Sequence, residues 1–102
     1  VDVDHFKSIN DNYGHPVGDT VLKAVAKLIK SNCRDVDIPI RYGGEEFMLV
    51  LPEVSREGAH VVAERIRRSL SQEVIHHESF SLSVTASLGI STFPDDAIEQ
   101  HV

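Results

Sequence analysis

Three carboxylates stand at positions where a folded chain seldom leaves them without a partner. Asp2 interrupts a run of valines that is typical of a strand end, and Glu45 and Glu46 open the β-prone run Phe-Met-Leu-Val-Leu. A carboxylate buried at such a place needs a cation or water. Magnesium takes oxygen ligands and often only one or two protein carboxylates, so Asp2 and Glu45 on neighbouring strands predict a metal site. The alternative is that each acid is an exposed loop or hairpin charge.

The pair Gly43-Gly44 directly precedes these acids and has two interpretations. Two glycines commonly close a tight hairpin. Because they lack side chains, they also let the backbone approach a ligand closely. The pair alone does not decide between a turn and a ligand contact.

The composition limits which partners such a site can bind. The chain has 102 residues, 41% of them apolar, which suits one domain with one modest core. A net charge of -6 argues against a nucleic-acid polymer as partner but leaves a small phosphorylated ligand compatible. Cys33 is the only cysteine, which excludes an internal disulfide and favours the reducing cytoplasm. Lys23 and Lys27 interrupt the most apolar helical stretch, so no membrane contact is predicted for this part of the protein.

Hydrophobic periodicity predicts the elements that position these residues in the first part of the chain. Residues 1–4 end a strand, and Asp4 is a candidate N-cap for a short helix over 5–9 that stops at a turn cluster over 10–14. A second helix is predicted over 16–32, with an apolar face and an exposed lysine face.

The second part of the chain predicts strands, one helix and a loop. Strands over 38–42 and 46–51 flank the two glycines. Ser55 is a candidate cap for a third helix, and one long half-buried strand is predicted over 80–90 because every even position is apolar. Pro94 ends this strand and is a candidate helix start. His76-His77 lacks a third metal ligand at recognisable spacing and is assigned to a loop. The element order predicts an α+β sheet with packed helices.

Four segments then point to a family. They are Asp2-Val3-Asp4-His5-Phe6-Lys7-Ser8-Ile9-Asn10-Asp11, Gly14-His15 with Gly18-Asp19, Arg41-Tyr42-Gly43-Gly44-Glu45-Glu46-Phe47, and Ser87-Leu88-Gly89-Ile90-Ser91. In this order and spacing they resemble the GGDEF domain family, the diguanylate cyclases, here in its GGEEF form. The resemblance implies a palm-like nucleotidyl cyclase fold, of which residues 1–102 are expected to be the central portion, truncated at both ends.

The resemblance also implies an activity and a metal site. Two GTP are condensed into cyclic di-GMP, with release of two pyrophosphates, by a homodimer in which each protomer holds one GTP. By position, Asp2, the Val3 carbonyl and Glu45 hold Mg²⁺, with Mn²⁺ as an alternative, and Glu46 joins a second metal. Glu45 is the implied base for the attacking 3′-hydroxyl, and Lys7 supplies positive charge to the phosphates or the transition state.

The resemblance implies two kinds of substrate contact, one to the phosphates and one to the guanine base. Helix-start N–H groups receive phosphate oxygens, and an amide and a carboxylate read the guanine edge. Taken alone, Asn10 is equally a turn former and Asp19 a first-turn helix acid. The substrate residues are His5, Phe6, Lys7, Asn10, His15, Asp19, Gly43 and Gly44.

A second site is implied where cyclic di-GMP, the product, acts as an allosteric inhibitor. Arg34-Asp35-Val36-Asp37 matches the family's RxxD sequence, and Arg65 matches a further arginine of that site. A planar arginine fork can grip phosphate or stack on guanine. The alternative is a solvated salt bridge at a helix end.

Two other functions remain open at this point. One is a noncatalytic module that binds GTP or cyclic di-GMP, and the other is an unrelated structural α+β domain. Presence of the signature acids Glu45 and Glu46 favours the cyclase over both.

Overall fold

The structure, a computed structural model, describes residues 1–93 and confirms the predicted α+β order. The elements are β1 (Asp2–Val3), α1 (Phe6–Tyr13), α2 (His15–Ser31), β2 (Ile38–Arg41), β3 (Phe47–Val50), α3 (Arg56–Gln72), β4 (Ile75–His77), β5 (Phe80–Leu82) and β6 (Ala86–Ser87). The candidate helix start at Pro94 lies outside the described residues. Within residues 1–93, no helix has the length and hydropathy needed to cross a bilayer.

The first helix begins and ends differently from the prediction. Asp4 is not its N-cap, because the Asp4 carboxylate accepts hydrogen bonds from the hydroxyls of Thr85 and Ser87, both at 2.7 Å. His5 takes the N-cap position in a left-handed conformation (φ 57°), and no side chain caps the helix. Residues 10–13, predicted as a turn, are helical. The helix ends at Gly14, whose φ of 90° suits glycine.

The strands pair in three two-stranded antiparallel sheets, β1 with β6, β2 with β3 and β4 with β5. An isolated bridge between Asp2 and Glu46 connects β1 to the start of β3. The single strand predicted over 80–90 is wrong, because the chain leaves β4 after Leu82 and joins β1 at Ala86. The predicted alternation of burial still holds, since Val84 and Ala86 are buried while their neighbours are exposed.

His76 and His77 lie in β4 and not in a loop. This strand exists because it pairs with β5, with His77 opposite Phe80. A two-residue turn joins the strands, and its first residue, Glu78, has a positive φ of 52°. Each strand of this hairpin has only three residues, too few to show a periodicity, which is why the sequence did not predict it.

The core is built where α2 and α3 pack over the strands. The predicted apolar faces of both helices are confirmed, and Ser55 caps α3 by accepting from the Gly58 N–H at 3.1 Å. Burying one such aliphatic side chain contributes about 1.5–3 kcal/mol. The most buried large residues, each under 2% exposed, are Val3, Val21, Val25, Ile29, Ile66 and Leu70. Val3 in this set anchors β1, and with it Asp2, to the core.

Candidate active site

Backbone pairing brings the three predicted carboxylates to one edge of the molecule. Asp2 lies opposite Glu46 in the bridge, and the Val3 N–H donates to the Glu45 carbonyl at 3.2 Å. Asp2 and Glu46 are exposed and Glu45 is half-buried. Within residues 1–93, their side chains have no hydrogen-bond or ion-pair partner. Main-chain bonds therefore hold these acids together, although no cation among the described side chains compensates them.

This donor set fits a hard divalent cation. The described residues contain no group of three His, Cys, Asp or Glu side chains placed to hold a metal. Zinc sites usually need three or four such ligands, whereas magnesium needs only one or two carboxylates and completes its shell with other oxygens. Asp2 and Glu45, with the main-chain carbonyl of Val3, offer oxygen donors only.

The loop that carries Glu45 is not the predicted two-residue turn. The N–H groups of Tyr42 and Gly43 both donate to the Glu46 carbonyl, at 2.9 and 3.2 Å, so Glu45 belongs to the loop. Neither Gly43 nor Gly44 has a positive φ, and a Cβ on Gly44 would meet nothing within 4 Å. Backbone conformation does not demand glycine here. A Cβ on Gly43 would make ordinary contact with the Glu46 side chain at 3.6 Å, so open space beside the acids is found at Gly44.

Arg41 is a residue at this site that sequence reasoning did not single out. Its guanidinium donates to the carbonyls of Gly43 and Gly44, from Nε at 3.3 Å and from Nη2 at 2.8 Å. These bonds fix the shape of the loop that presents Glu45. The only sequence signal is its position two residues before the glycines.

The start of α1 provides main-chain donors beside β1. First-turn N–H groups of a helix have no partner inside the helix, and no side chain caps this one. The helix begins at Phe6, directly after His5. The N–H groups predicted to receive phosphate oxygens therefore lie at its start. Lys7 is exposed in the same turn. The structure thus places an uncapped helix N-terminus and a mobile cation together.

Asn10 carries a buried acceptor without a partner. Its Oδ1 makes no hydrogen bond, and an unpaired buried polar atom costs about 1–3 kcal/mol. The atom packs so closely on Gly18 that a Cβ there would lie 1.9 Å from it. Because Asn10 is helical, its alternative role as a turn former no longer applies.

Asp19 is exposed and lies beyond the first turn of α2, which contains no acid. The alternative role of a first-turn helix acid is therefore removed. Asp19 borders a cleft of about 520 Å³ between α2 and the β2–β3 pair, with Leu22 and Ile29 on its floor and Arg41 opposite. This volume suits a small ligand. His15 is exposed at the first position of α2.

The three residues of the predicted second site lie near the end of α2. Arg34 Nη2 and Asp37 Oδ1 form an ion pair at 2.7 Å, and the side chain of Asp37 is only 2% exposed. Hydrogen bonds from Arg34 lower the pKa of Asp37 below its usual value. Arg65 donates to Asn32 Oδ1 at 2.8 Å, two residues before Arg34. In the chain itself, Asp37 and Arg34 satisfy each other.

Solved structures establish the class of protein that this fold and site define. Diguanylate cyclase SiaD from Pseudomonas aeruginosa, in complex with its activator SiaC, matches with a TM-score of 0.80 and 38% identity over 97% of this chain and 40% of that chain. The GGDEF domain of DgcB from Caulobacter crescentus, in complex with c-di-GMP, matches with a TM-score of 0.77 and 33% identity over 82% of this chain and 51% of that chain. The predicted palm-like α+β fold is confirmed.

The chain belongs to the diguanylate cyclase, GGDEF domain family, which matches residues 1–101. It is 48% identical over 96 residues to diguanylate cyclase A of Treponema denticola, covering 94% of this chain and 26% of that protein. The chain therefore spans about a quarter of that relative's length. The family requires a divalent metal in general.

Proposed function

We propose that this chain is the cyclase domain of a diguanylate cyclase that condenses two GTP into cyclic di-GMP and releases two pyrophosphates. The observation that carries the proposal is the set of three backbone-fixed carboxylates without side-chain partners among residues 1–93. Membership of the GGDEF family supports the same reaction. The reaction consumes GTP, which places this domain in the cytoplasm.

In this proposal Asp2, the Val3 carbonyl and Glu45 hold Mg²⁺, or Mn²⁺ in its place, and Glu46 contributes an oxygen to a second ion. Support comes from the oxygen-only donor set and from the lack of a side-chain cation bonded to the three acids among residues 1–93. When bound, such an ion supplies Lewis acidity at the phosphates and acidifies a nearby hydroxyl.

The chain's own groups then bind and orient the substrate. Glu45, half-buried in the loop that Arg41 braces, accepts the proton of the 3′-hydroxyl. Uncapped N–H groups at Phe6 and Lys7, with that of His5, receive phosphate oxygens. The ammonium of Lys7 stabilises the negative charge that grows on the phosphates in the transition state. Gly43 and Gly44 leave room for the ligand.

Guanine is proposed to occupy the neighbourhood of Asn10 and Asp19, with His15 beside it. Asn10 Oδ1 is an acceptor in need of a donor, and the Asp19 carboxylate borders the cleft. Guanine presents N1–H and N2–H donors on one edge, which adenine does not offer. Guanine can donate to Asn10 Oδ1 and to the Asp19 carboxylate at once, whereas adenine has one amino donor beside an acceptor nitrogen.

Two protomers are needed, because each site holds one GTP and each 3′-hydroxyl must reach the other nucleotide's α-phosphate. We expect the specific activity to rise with protein concentration until dimers saturate. Sedimentation across the same range reports the association state. A constant specific activity in a range where the protein is monomeric contradicts the homodimer.

A second binding mode is proposed at Arg34, Asp37 and Arg65, where cyclic di-GMP acts as an inhibitor. The two arginines supply planar cations for phosphate and guanine, and Asp37 supplies an acceptor. Arg34 and Asp37 are already paired with each other. Binding of the ligand must therefore replace part of this ion pair with contacts to the ligand.

The experiment is incubation of the full-length protein with GTP and magnesium, with the product identified by mass. We expect cyclic di-GMP and two pyrophosphates per molecule formed, and no equivalent product from ATP. GTP that binds but is recovered unchanged assigns the chain to the noncatalytic binding modules. No binding of GTP contradicts the proposal altogether.

A further inference from the structure

The β4–β5 hairpin contacts the corner where α1 meets α2. His77 Nδ1 lies 2.6 Å from Thr20 Oγ1, in the second turn of α2. The Phe80 ring packs edge-on against Tyr13, the last residue of α1, with ring centroids 5.3 Å apart and an interplanar angle of 76°. His77 and Phe80 are opposite each other in the β4–β5 register, so both side chains leave the same face of the hairpin. One face therefore touches both helices.

The contact with α2 is made by a hydroxyl that also bonds within the helix. Thr20 Oγ1 donates to the Pro16 carbonyl at 3.1 Å, and the same oxygen lies within hydrogen-bond distance of His77 Nδ1. The contact between His77 and Thr20 connects the hairpin to α2. The bond from Thr20 to the Pro16 carbonyl connects the second turn of α2 to its first turn.

The helix corner is held by packing rather than by caps or by its connecting chain, and α1 and α2 pack on each other where Asn10 meets Gly18. A single residue, Gly14, joins α1 to α2, with φ 90° and ψ 162°, and neither helix start has a side-chain cap. Glycine has no side chain to restrict the bend. The angle between the helices is therefore set by packing, and the hairpin packs on both of them.

The same corner carries the residues assigned to guanine. Asn10 lies three positions before Tyr13, and Asp19 directly precedes Thr20. A change in the helix angle would alter the distance between these two side chains. Recognition groups must be held within about 0.5 Å of their productive positions.

We infer that His77 and Phe80 are positioning residues for guanine recognition. By contacting Thr20 and Tyr13, the hairpin keeps Asn10 and Asp19 at the spacing that one guanine edge requires. The inference rests on the proposed function, in which these two residues read the base.

The test is His77→Ala in the full-length protein, with the KM for GTP, the kcat at saturating GTP and the inhibition constant of ATP as measurements. Loss of one positioning hydrogen bond should raise the KM for GTP about three- to tenfold. The kcat and the ATP constant should stay near wild type, because neither depends on the guanine edge. His77→Asn should restore the KM, since its amide group can hydrogen-bond to the Thr20 hydroxyl in place of Nδ1.

His76→Ala is the matched control. His76 lies on the same strand but is exposed, and its Nδ1 contacts Ser81 Oγ at 2.9 Å within the hairpin itself. This variant should leave the KM for GTP unchanged. If His77→Ala does not fold, Thr20→Val removes the same contact from the helix side and should give the same KM effect.

Equal KM values for His77→Ala and His76→Ala overturn the inference. Parallel weakening of GTP and ATP also overturns it, because a loosened structure does not distinguish the bases. In both cases a wild-type enzyme that still makes cyclic di-GMP and prefers GTP leaves the proposed function intact. A wild type without that preference overturns the proposed function and this inference together.

Discussion

Two acidic regions of this chain differ in what holds their carboxylates. At β1 and the β2–β3 loop, Asp2, Glu45 and Glu46 are placed by backbone bonds and have no side-chain partner within residues 1–93. After α2, the carboxylate of Asp37 accepts from the Arg34 guanidinium and from the Arg34 N–H at 2.7 Å, and is almost fully buried. The first arrangement leaves charge for a ligand to neutralise. In the second, the protein supplies the cation itself. The ion pair therefore stabilises the fold, and any ligand must compete with it.

The largest expected effect is in the first region. Glu45→Gln should lower kcat by about 10²-fold or more, because it removes a proton acceptor and a metal charge with little change in volume. The melting temperature should not fall, since the carboxylate has no protein partner to lose. Synthesis of cyclic di-GMP and thermal unfolding measure the two effects.

Glu73→Gln is the control for this variant, because Glu73 is exposed at the end of α3. It should match wild type in both assays. Normal turnover by Glu45→Gln would remove Glu45 from the mechanism, and a large loss of stability would show that the acid has a structural role.

The next effect separates base recognition from general binding. Asn10→Ala combined with Asp19→Ala should raise the KM for GTP about tenfold or more, because one partner in each of two hydrogen bonds is lost. The inhibition constant of ATP should hardly change. Asp11→Ala with Asn12→Ala, a pair of the same residue types at exposed positions of α1, is the control. Equal losses for both nucleotides contradict the guanine assignment.

Arg34→Ala tests the second region for ligand binding. It should relieve inhibition by added cyclic di-GMP while the initial rate stays near wild type, because the Arg34 side chain bonds to Asp37 and the Pro52 carbonyl and to none of the three acids of the candidate site. Inhibition curves at fixed GTP give the result. A variant that is inhibited as strongly as wild type would leave Arg34 and Asp37 as an ion pair only.

The same variant should lower the melting temperature by a measurable margin, since it leaves the buried Asp37 carboxylate without its cation. The hydrogen bonds from Arg34 lower the pKa of Asp37 in the folded state. This stabilisation is complete above the ordinary Asp value of 3.8 and is lost as the pH falls through the lower folded value. The difference between variant and wild type should therefore shrink below that pH. A difference that is constant down to pH 2 contradicts this account.

The smallest effect is expected at an exposed ion pair on α3. Arg67 first, and then Arg68, lower the pKa of Glu64 to about 2, yet its side chain is 44% exposed and screened by water. Any contribution is present above the ordinary value of 4.5 and disappears as the pH approaches 2. Glu64→Gln should barely change the melting temperature at pH 7, and added salt should remove the change. A loss as large as that in Arg34→Ala would contradict the role assigned to burial.

Long periodic elements were predictable from the sequence, because their signal is local. The apolar faces of α2 and α3, the Ser55 cap and the alternating burial along residues 80–90 all follow from spacing within one segment. The residues of the candidate site were likewise selected by motifs, and the structure brings Asp2 opposite Glu46 while Glu45 lies in the preceding loop.

Features that are set by specific pairing, rather than by periodicity within one segment, were not predictable. Asp4 was assigned to a helix cap because nothing near it shows that Thr85 and Ser87, 81 and 83 positions away, supply its hydrogen bonds. Strand β4 has three residues and no periodic signal, so only its pairing with β5 defines it. Arg41 has an ordinary position in a strand until its bonds to the glycine loop are seen.

The pairing of β1 also has a consequence for synthesis on the ribosome. Asp2 must meet Glu46 in the bridge and Ser87 in β6 before the first strand is held on both sides. Translation at about 5–20 residues per second separates Asp2 from Ser87 by about 4–17 s. Helices α1 and α2 have emerged long before then. A nascent chain that stalls in this interval carries α1 and α2 but has not yet paired Asp2 with Ser87.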